Sequence, residues 1–531
     1  MANRYLRANG NWNGAVWAAT SGGAAGSAAT PTAGDSVNID ANFTVTLDTD
    51  IVVDHISQTN GTLTCGPYNV TANYYGDGNS SSAKTLNMGS GTWTLTNGSM
   101  GVLFGKNNAN TTVNAQSSLL ILNIFGGQSS AYPIGANTLG AGFTLNDVIF
   151  NIGTTAGDTQ IGILGSPTFN SLVLQSKNSS TNTVEFQPLA TITARRFVAI
   201  GSSAANRMII QPSDYPGLTT QISGVDVSYG KWVNVRQLPV QPLVYGQNVY
   251  IGSTSVNSAS VGWLTQDPPS ISTLVDPMTT SYSSSSYWTT SGTVSNVTTG
   301  ARGGGYSLGS GAALTSKDVY NVLDTEFIVE MKGGTGQTIL PILESMLGVN
   351  GQKNYITVGL TVPPGQQAFF DAQFGDEWYP LDTGDPGFLK IKINSNGTLN
   401  IAYSQDGLSW DVSDSYGGVV IDPIELALLR STRIKISAGS GTGIVGSFNT
   451  IPPFPLISAK SASDSGFPAT DPYISGQKKD YKTQISLDPG TYYWRVRAKD
   501  PSGSGQWGAW SEVRQFEITK GGGAFLPFFI P

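Results

Sequence analysis

The chain is poor in the residues on which many enzymes and metal sites depend. Its 531 residues include one histidine, His55, and one cysteine, Cys65. A single cysteine excludes a disulfide within the chain. One cysteine and one histidine together also provide too few ligands for a zinc site. Cys65 lies in GTLTCGPYNVT, a pattern that favours a buried strand thiol. We therefore expect neither a metal nor a cofactor.

Charged residues are also scarce, at 12% of the chain, which is about half the usual share. The formal net charge of −7 argues against nucleic acid as a partner, because nucleic-acid binding needs a basic surface. The N-terminal MANRYLRANGNWNG lacks the apolar region of a secretory signal. No apolar run approaches the ~20 residues that span a bilayer. We expect synthesis in a cytoplasm and no membrane insertion.

The residues that are abundant favour β-structure. The chain has 65 glycines and is rich in Thr, Val, Asn and Ser, whereas long runs of Ala, Glu, Lys and Leu are missing. This composition predicts an all-β protein. The length allows about three domains, each with its own core.

Residues 1–264 carry short apolar strands between turns of Asn, Gly, Ser and Thr, as at Phe143–Ile152 and Phe197–Ile200. Sets of strands recur at roughly 20 to 25 residues, the length of one coil of a parallel β-helix. We predict a right-handed parallel β-helix here. A β-sandwich with long loops is the competing interpretation.

The N-terminal segment strengthens the β-helix prediction. It resembles a segment that opens many β-helix proteins of phages and environmental bacteria, and the matching residues are Asn11, Trp12, Asn13, Trp17, Pro31, Thr32, Asp35, Val37 and Asp40. The resemblance implies a pectin-lyase-like β-helix in a virion setting, without implying an activity. We expect the two tryptophans to cap the first coil and to hide strand edges that would otherwise pair between molecules.

A second module is predicted at 278–449, after a linker at 265–277 that contains two consecutive prolines. Its tract Phe388–Asp414 reads as two strands around the turn Asn396-Gly397, which is a strong hairpin signal. The tract resembles a hairpin of concanavalin/LamG-like jelly rolls, with the matching residues Tyr403, Ser404, Asp406, Gly407 and Trp410. The resemblance implies a jelly-roll sandwich.

The third module is predicted at 450–519. Tyr492, Trp494, Val496 and Ala498 alternate with polar residues as in a strand, and a second run follows at Glu512–Ile518. This stretch resembles the last two strands of a fibronectin type III domain. The resemblance implies a spacer or binding sandwich without a reaction of its own.

Candidates for chemistry are few. A Ser/His/Asp system has to use His55, and Asp54 is expected to point the opposite way in a strand, so we predict no triad. Three acidic residues, Asp371, Asp376 and Glu377, lie near the aromatic residue Trp378 in the sequence. Paired acids are used by glycosidases. We nevertheless predict no catalytic residues and no enzyme activity. Binding of a glycan by Asp376, Glu377 and Trp378 is left open.

Residues 520–531 form an apolar tail after the hinge Gly521–Gly523. Its large side chains have no domain of their own to bury them, and they are Phe525, Leu526, Phe528, Phe529 and Ile530. One interpretation folds the tail back onto the third module. The other, which we prefer, makes it a peptide that anchors the chain in a partner.

Together these features predict a structural protein of a bacteriophage virion that serves assembly and display. It would be a capsid-attached fibre or decoration, or an appendage of the tail or baseplate. Its partners would be other virion proteins, bound through the C-terminal peptide, and further copies of itself. The alternatives are a receptor-binding protein for host surface glycans and a depolymerase that cuts them.

Overall fold

The computed structural model describes most of the first 330 residues and a smaller share of the rest. The described residues are 2–78, 81–97, 104–105, 110–127, 131–135, 143–213, 220–243, 247–298, 304–333, 338–341, 356–361, 369–374, 377–381, 388–396, 398–404, 411–416, 427, 429–438, 442–450, 490–494 and 514–518.

The N-terminal part of the chain consists of short strands. In chain order they are β1 (Asn3–Leu6), β2 (Gly10–Asn11), β3 (Trp17–Ala18), β4 (Ser36–Ile39), β5 (Thr44–Thr46), β6 (Ile51–Val52), β7 (His55–Gln58), β8 (Gly61–Thr64), β9 (Val70–Ala72), β10 (Tyr74–Gly76), β11 (Lys84–Asn87), β12 (Thr92–Asn97), β13 (Phe104–Gly105), β14 (Thr111–Asn114), β15 (Leu119–Ile124), β16 (Ala131–Gly135), β17 (Thr144–Ile152), β18 (Thr159–Ile163), β19 (Thr168–Ser176), β20 (Asn182–Phe186), β21 (Thr191–Ile200), β22 (Met208–Pro212), β23 (Gln221–Val225), β24 (Val227–Lys231), β25 (Val233–Arg236), β26 (Val240–Pro242), β27 (Val249–Tyr250), β28 (Val256–Ser258) and β29 (Trp263–Leu264).

These strands stack into three long sheets, as in a solenoid. Sheet A has the order β28-β25-β22-β20-β18-β16-β13-β10-β7-β4-β1-β3, sheet B the order β14-β11-β8-β5-β2, and sheet C the order β26-β23-β21-β19-β17-β15-β12-β9-β6, with β24 also on β21. Neighbouring strands are parallel, except that β3 is antiparallel to β1. Partners on adjacent coils are 19 residues apart at Asn73–Asp54 and 28 at Asn151–Asn123. The prediction of a parallel β-helix is confirmed.

Equivalent positions of successive coils lie directly above one another and form rows of side chains. The inward row of sheet C is Leu120, Val148, Leu172 and Phe197. The row next to it on the outer face is also apolar and buried, and it consists of Ile121, Ile149, Val173, Val198 and Tyr229. Strands that are buried on both faces read as nearly continuous apolar runs, which explains the sequence of β15, β17 and β19.

Tryptophans lie at both ends of this stack. Trp12 and Trp17 are buried in the first coil, where the rings meet edge to face at 4.8 Å and Trp17 Nε1 donates to the Trp12 carbonyl oxygen at 2.8 Å. In the last coil, Trp263 Nε1 donates to the Leu238 carbonyl oxygen at 2.7 Å, and its ring lies 5.5 Å from that of Phe197. Large apolar rings therefore cover the core at each end.

The second part of the chain forms antiparallel sheets. Its strands are β30 (Trp288–Ser291), β31 (Val294–Asn296), β32 (Tyr306–Leu308), β33 (Ala313–Ser316), β34 (Glu326–Gly333), β35 (Thr338–Pro341), β36 (Ile356–Thr361), β37 (Phe369–Phe374), β38 (Glu377–Leu381), β39 (Phe388–Ile393), β40 (Leu399–Ser404), β41 (Asp411–Tyr416), β42 (Lys435–Ala438) and β43 (Gly443–Phe448).

In the described residues these strands make two sheets, with the orders β30-β33-β42-β35-β36-β37-β38 and β31-β32-β43-β34-β39-β40-β41. Their inner faces enclose a core that includes Leu314, Phe327, Ile391, Ile436 and Phe448. The jelly-roll prediction is confirmed at the level of fold. Two short 3-10 helices, Ile271–Thr273 and Tyr282–Ser284, precede the first strand.

The sandwich packs against the flank of the β-helix. The apolar outer row of sheet C joins the core residues of the sandwich in one continuous cluster. Polar contacts surround this joint: Arg433 forms an ion pair with Asp226 and donates through Nη1 to the Ser316 carbonyl oxygen at 2.7 Å. Tyr250 donates its hydroxyl to Asp318 at 3.3 Å. The two modules therefore share buried surface.

The segment 265–277, predicted as a linker, carries packed residues in its second half. Ile271 and Leu274 are fully buried, and the Trp288 indole donates to the Asp276 carboxylate at 2.8 Å. Burial raises the pKa of Asp276, while hydrogen bonds from Met278 and Trp288 act in the opposite direction.

Two strands of the predicted third module are described. β44 (Gly490–Trp494) and β45 (Arg514–Ile518) pair antiparallel, with Tyr492 opposite Phe516. These are the two runs that alternate in the sequence. Val496 and Ala498, which continue the predicted alternation of the first of these strands, lie outside the described residues.

Candidate functional site

The single histidine lies at the surface of sheet A beside a serine and an aspartate. His55 Nδ1 is 3.1 Å from Ser36 Oγ and 3.0 Å from Asp54 Oδ2, and the ring stacks on that of Tyr74 at 4.8 Å. The expectation that Asp54 points away from His55 is wrong. Asp54 comes before β7 begins, so the alternation of strand side chains does not apply to it.

The geometry nevertheless differs from that of a catalytic triad. A triad places the serine on one ring nitrogen of the histidine and the carboxylate on the other, so that the ring can take the proton of the serine while the carboxylate orients it and stabilises its charged form. Here both partners contact Nδ1. The hydrogen bond from His55 holds the pKa of Asp54 below its usual range, and Asn73 adds to this effect by donating to Asp54 Oδ1 at 2.6 Å. The arrangement pairs and orients a carboxylate.

A different surface feature is an open groove of about 800 Å³ on the β-helix. It lies where sheet B ends in the described residues, after β14, and where strands of nine residues, β17 and β19, take over in sheet C. The stack therefore changes from three faces to two, and the step between them leaves a concave surface. Sequence reasoning missed this site, because only the lengths of the apolar runs signal the step.

Uncharged polar groups dominate the groove. Its lining comprises Asn87, Val113, Asn114, Ala115, Gln116, Thr144, Leu145, Asn146, Thr168, Phe169 and Asn170. Leu145 and Phe169 are each 1% exposed and belong to the core of the β-helix beneath the groove, so they offer a ligand no apolar surface. Gln116 lies at its rim with a φ of 52°, a left-handed conformation that is uncommon for residues other than glycine.

The asparagine amides of the groove are held in fixed orientations. Asn146 Nδ2 donates to the Ser118 carbonyl oxygen at 3.1 Å and to Asp147 Oδ2 at 3.2 Å. Asn170 Nδ2 donates to Asp147 Oδ1 at 2.9 Å, and Asn114 Nδ2 donates to Asn87 Oδ1 at 2.8 Å. Asp147 itself is 3% exposed. In each case the amide nitrogen is turned towards the protein.

Two of the three residues predicted to bind a glycan lie on the sandwich and are far from this groove in the sequence. Glu377 and Trp378 are in β38, which is at the edge of its sheet in the described residues, and they pair with Phe374 and Gln373. Asp376 lies outside the described residues. Glycan binding by this trio stays a prediction.

Of the other residues singled out in the sequence, Cys65 is described by the structure and the C-terminal anchor residues are not. Cys65 is buried, as predicted, and burial raises the pKa of its thiol, which makes it a poor nucleophile. The anchor residues lie outside the described residues, and they are Phe525, Leu526, Phe528, Phe529 and Ile530. In the part of the chain that the structure describes, no three His, Cys, Asp or Glu residues come together as metal ligands, and no helix is long and apolar enough to cross a membrane.

No protein-family model and no curated protein sequence matches the chain. Solved structures show distant similarity. A legume lectin-like domain from Entamoeba histolytica is 12% identical, with a TM-score of 0.23, over 30% of this chain and 88% of the domain. Tailspike protein 2 of an Escherichia coli O157:H7 bacteriophage is 11% identical, with a TM-score of 0.21, over 79% of this chain and 71% of the tailspike. Similarities this low do not identify a family.

Proposed function

We propose that the protein is a structural appendage of a bacteriophage particle, used for assembly and for surface display. The observation that carries this proposal is the N-terminal segment, whose motif resembles the start of phage β-helix proteins. The motif residues build the first coil: Trp12 and Trp17 cover the core, Asp35 binds Arg4 at 3.2 Å, and Asp40 binds Arg7 at 2.5 Å.

The architecture suits such a role. Sheet A continues through the β-helix, and at about 4.8 Å per strand it extends for roughly 50 Å. The sandwich is packed on the flank of this stack over an apolar joint. A stiff stack with a second module at its side can hold a surface at a set distance from a particle.

Labelling of purified particles tests the proposal. An antibody against the full chain should decorate intact virions at a constant position, and the protein should remain with particles through density-gradient purification. A protein that is abundant in the lysate but absent from purified particles would show that it is not a virion component.

We propose further that the tail after residue 519 provides the attachment. Replacing Phe528 and Phe529 with Ser keeps the length and the glycine hinge but removes two large apolar side chains. These particles should lack the protein, while the variant itself unfolds at the same temperature as the wild type. Particles that carry the variant at normal copy number would place the anchor elsewhere.

The groove favours glycan recognition as a second candidate function. Amides and hydroxyls commonly bind sugars, because they form hydrogen bonds with sugar hydroxyls. We propose binding without cleavage, since glycosidases use a pair of carboxylates and the described residues that line the groove include none. After incubation with surface polysaccharides of candidate hosts, the protein should hold bound glycan, and no new reducing ends should be released.

A further inference from the structure

The asparagine side chains of the groove share one polarity. Asn146 and Asn170 occupy equivalent positions on successive coils, between the paired positions Leu145–Phe169 and Asp147–Ser171. Both turn Nδ2 towards the buried carboxylate of Asp147, at 3.2 and 2.9 Å. Each Oδ1 atom therefore points to the opposite side, and no donor among the described residues reaches it. Asn114 has the same orientation, because its Nδ2 donates to Asn87.

The cause of this polarity is Asp147. An ionised carboxylate accepts hydrogen bonds and cannot donate them, so an amide beside it has to present its nitrogen. Charge-assisted hydrogen bonds are about twice as strong as neutral ones, which makes a rotation of either amide costly. The Ser118 carbonyl oxygen holds the second hydrogen of Asn146 Nδ2 in the same way.

The groove consequently offers acceptors at a regular interval. Adjacent strands in a sheet are about 4.8 Å apart, so the Oδ1 atoms of Asn146 and Asn170 repeat at about this distance along the stack. A ligand that fits has to donate hydrogen bonds at a similar interval. Sugar hydroxyls donate in this manner, whereas carboxylate and sulfate groups bring only acceptors.

The nearest basic side chain in the same row is held by an ion pair near the joint with the sandwich. Arg195 is the next residue after Asn146 and Asn170 in the row, and 44% of its side chain is exposed. It faces Asp226 at 3.6 Å, and Asp226 also binds Arg433 of the sandwich. Asp226 therefore shares its single negative charge between the two arginines.

We infer that the groove binds a neutral, hydroxyl-rich oligosaccharide along the axis of the β-helix, and that Asp147 is the positioning residue that excludes acidic sugars by fixing Asn146 and Asn170 as acceptors. The inference rests on the glycan-binding candidate function and adds the ligand class and its determinant. Asp147 acts through the two amides and does not touch the sugar.

The test uses the full chain on an array of bacterial oligosaccharides, with neutral members and members that carry uronate or sulfate. The wild type should retain neutral glycans. Replacing both Asn146 and Asn170 with Ala should weaken that binding about tenfold or more, the loss expected when two hydrogen bonds are removed. Asn73→Ala, which removes an exposed amide at another corner, is the matched control and should bind like the wild type.

Two further variants separate positioning from a merely structural role. Asp147→Asn removes the carboxylate that fixes the Asn170 amide, while Ser118 still holds Asn146, so the ratio of acidic to neutral binding should rise about tenfold. The melting temperature is recorded alongside. Asn170→Lys removes the amide that donates to Asp147 and places a cation at the same position, and it should shift binding towards acidic glycans. Both ratios are measured on the same array.

The possible results are distinct. A folded Asp147→Asn protein with an unchanged acidic-to-neutral ratio overturns the role of Asp147, although the groove remains a glycan site. An unchanged ratio in a folded Asn170→Lys protein shows that position 170 does not face the ligand, and it overturns the inference. A wild type that prefers acidic glycans overturns the ligand class. A wild type that retains no glycan removes the candidate function itself, and the inference with it.

Discussion

At the scale of single residues, the corners of the β-helix pair charges that would otherwise repel one another. Asp35 and Asp54 lie on successive coils, and the Asp54 amide donates to the Asp35 carbonyl oxygen at 2.8 Å. Burial acts to raise the pKa of Asp35, but hydrogen bonds from Thr32, Arg4 and Ala2 bring it below its usual value. His55 and Asn73 do the same for Asp54. His55 thus has a structural role that its isolation in the sequence did not reveal.

We predict that Asp54→Asn destabilises the protein by about 1 kcal/mol near neutral pH, the usual value of a hydrogen bond of this kind. Because the pKa of Asp54 is lower in the folded state, its contribution is present above the unfolded-state pKa of about 4 and is lost as the pH falls through the folded-state pKa. Urea unfolding between pH 7 and pH 3 should show the two proteins converging at the acid end.

A double-mutant cycle with His55→Gln provides the control for this prediction. If the His55 hydrogen bond is the cause, Asp54→Asn should cost less in the His55→Gln background. Equal costs in both backgrounds would point to Asn73 as the partner that matters.

A second prediction at this scale concerns the left-handed corner between sheets B and C. Gly66, Gly89 and Gln116 occupy it on successive coils, with φ of 58°, 80° and 52°. Gln116→Gly should stabilise the protein by about 1 kcal/mol, because glycine adopts this conformation without strain. Gly89→Ala should be destabilising by more than this, since the added Cβ would lie 1.8 Å from the Gly66 carbonyl oxygen. Chemical denaturation measures the stability of both variants. A loss of stability in Gln116→Gly would contradict the proposal that the backbone of Gln116 is strained.

Some residue environments could not be read from the pattern. In Lys84–Asn87 the alternation places Lys84 on the same inward face as Leu86, and the lysine is 2% exposed. Burial lowers the pKa of Lys84, while the charge of Asp77 acts to raise it. A lysine in a polar-looking strand predicts a surface residue, so only the stacked coils show that it is internal. The amides of the groove were missed for the same reason, since they meet across coils.

At the scale of elements, the ends of the stack decide whether it stays a single molecule. The last strand of a β-sheet exposes unpaired backbone groups that can bind another chain. At the N-terminal end, β3 pairs antiparallel with β1, and its Trp17 is buried together with Trp12. The cap was predictable because its tryptophans precede the first regular strands. Trp263 at the other end was seen only as a boundary.

Replacing Trp12 and Trp17 with Ala should cost several kcal/mol of stability, given about 3–5 kcal/mol for a buried Trp. The loss of the cap should also promote association end to end. Thermal unfolding and light scattering measure the two effects, and Val52→Ala, at an exposed residue, is the control. An unchanged melting temperature without oligomers would show that these rings do not act as a cap.

Elements of the sandwich were predicted with less accurate bounds. The hairpin at Phe388–Asp414 exists, but Ile393 already pairs with Leu399, so the connection is longer than the Asn396-Gly397 turn. The Asn394 amide donates to the Thr398 carbonyl oxygen at 2.8 Å and closes it. Asn-Gly marks the position of such a turn, whereas cross-strand packing determines where the ladder stops.

At the scale of the whole molecule, the joint between β-helix and sandwich was beyond sequence reasoning. The apolar outer row of sheet C looked like ordinary core, because a strand buried on both faces has the same pattern whatever covers it. The polar rim depends on residues as distant in sequence as Asp226 and Arg433. Composition and periodicity predicted three modules, but they contain no information about their docking.

We predict that Arg433→Met loosens this joint. It leaves the largely buried Asp226 with only the partly exposed Arg195, and breaking a buried pair costs about 3 kcal/mol. Limited proteolysis between residues 265 and 270 should become faster, and unfolding should separate into two transitions. Arg236→Met, at an exposed arginine, should leave both measurements unchanged. A single transition in Arg433→Met at the wild-type midpoint would show that the apolar row alone holds the modules together.

The apolar face of sheet C also limits how this protein can evolve. Recombination readily exchanges modules that are joined by flexible linkers, because each partner remains soluble after the exchange. Here the sandwich covers Ile121, Ile149, Val173 and Val198 of the β-helix, and these residues would be exposed if another module replaced the sandwich. Such a recombinant would expose a continuous apolar stripe and aggregate. The β-helix and the sandwich should therefore be inherited as one unit, with exchange confined to the segments that follow the sandwich.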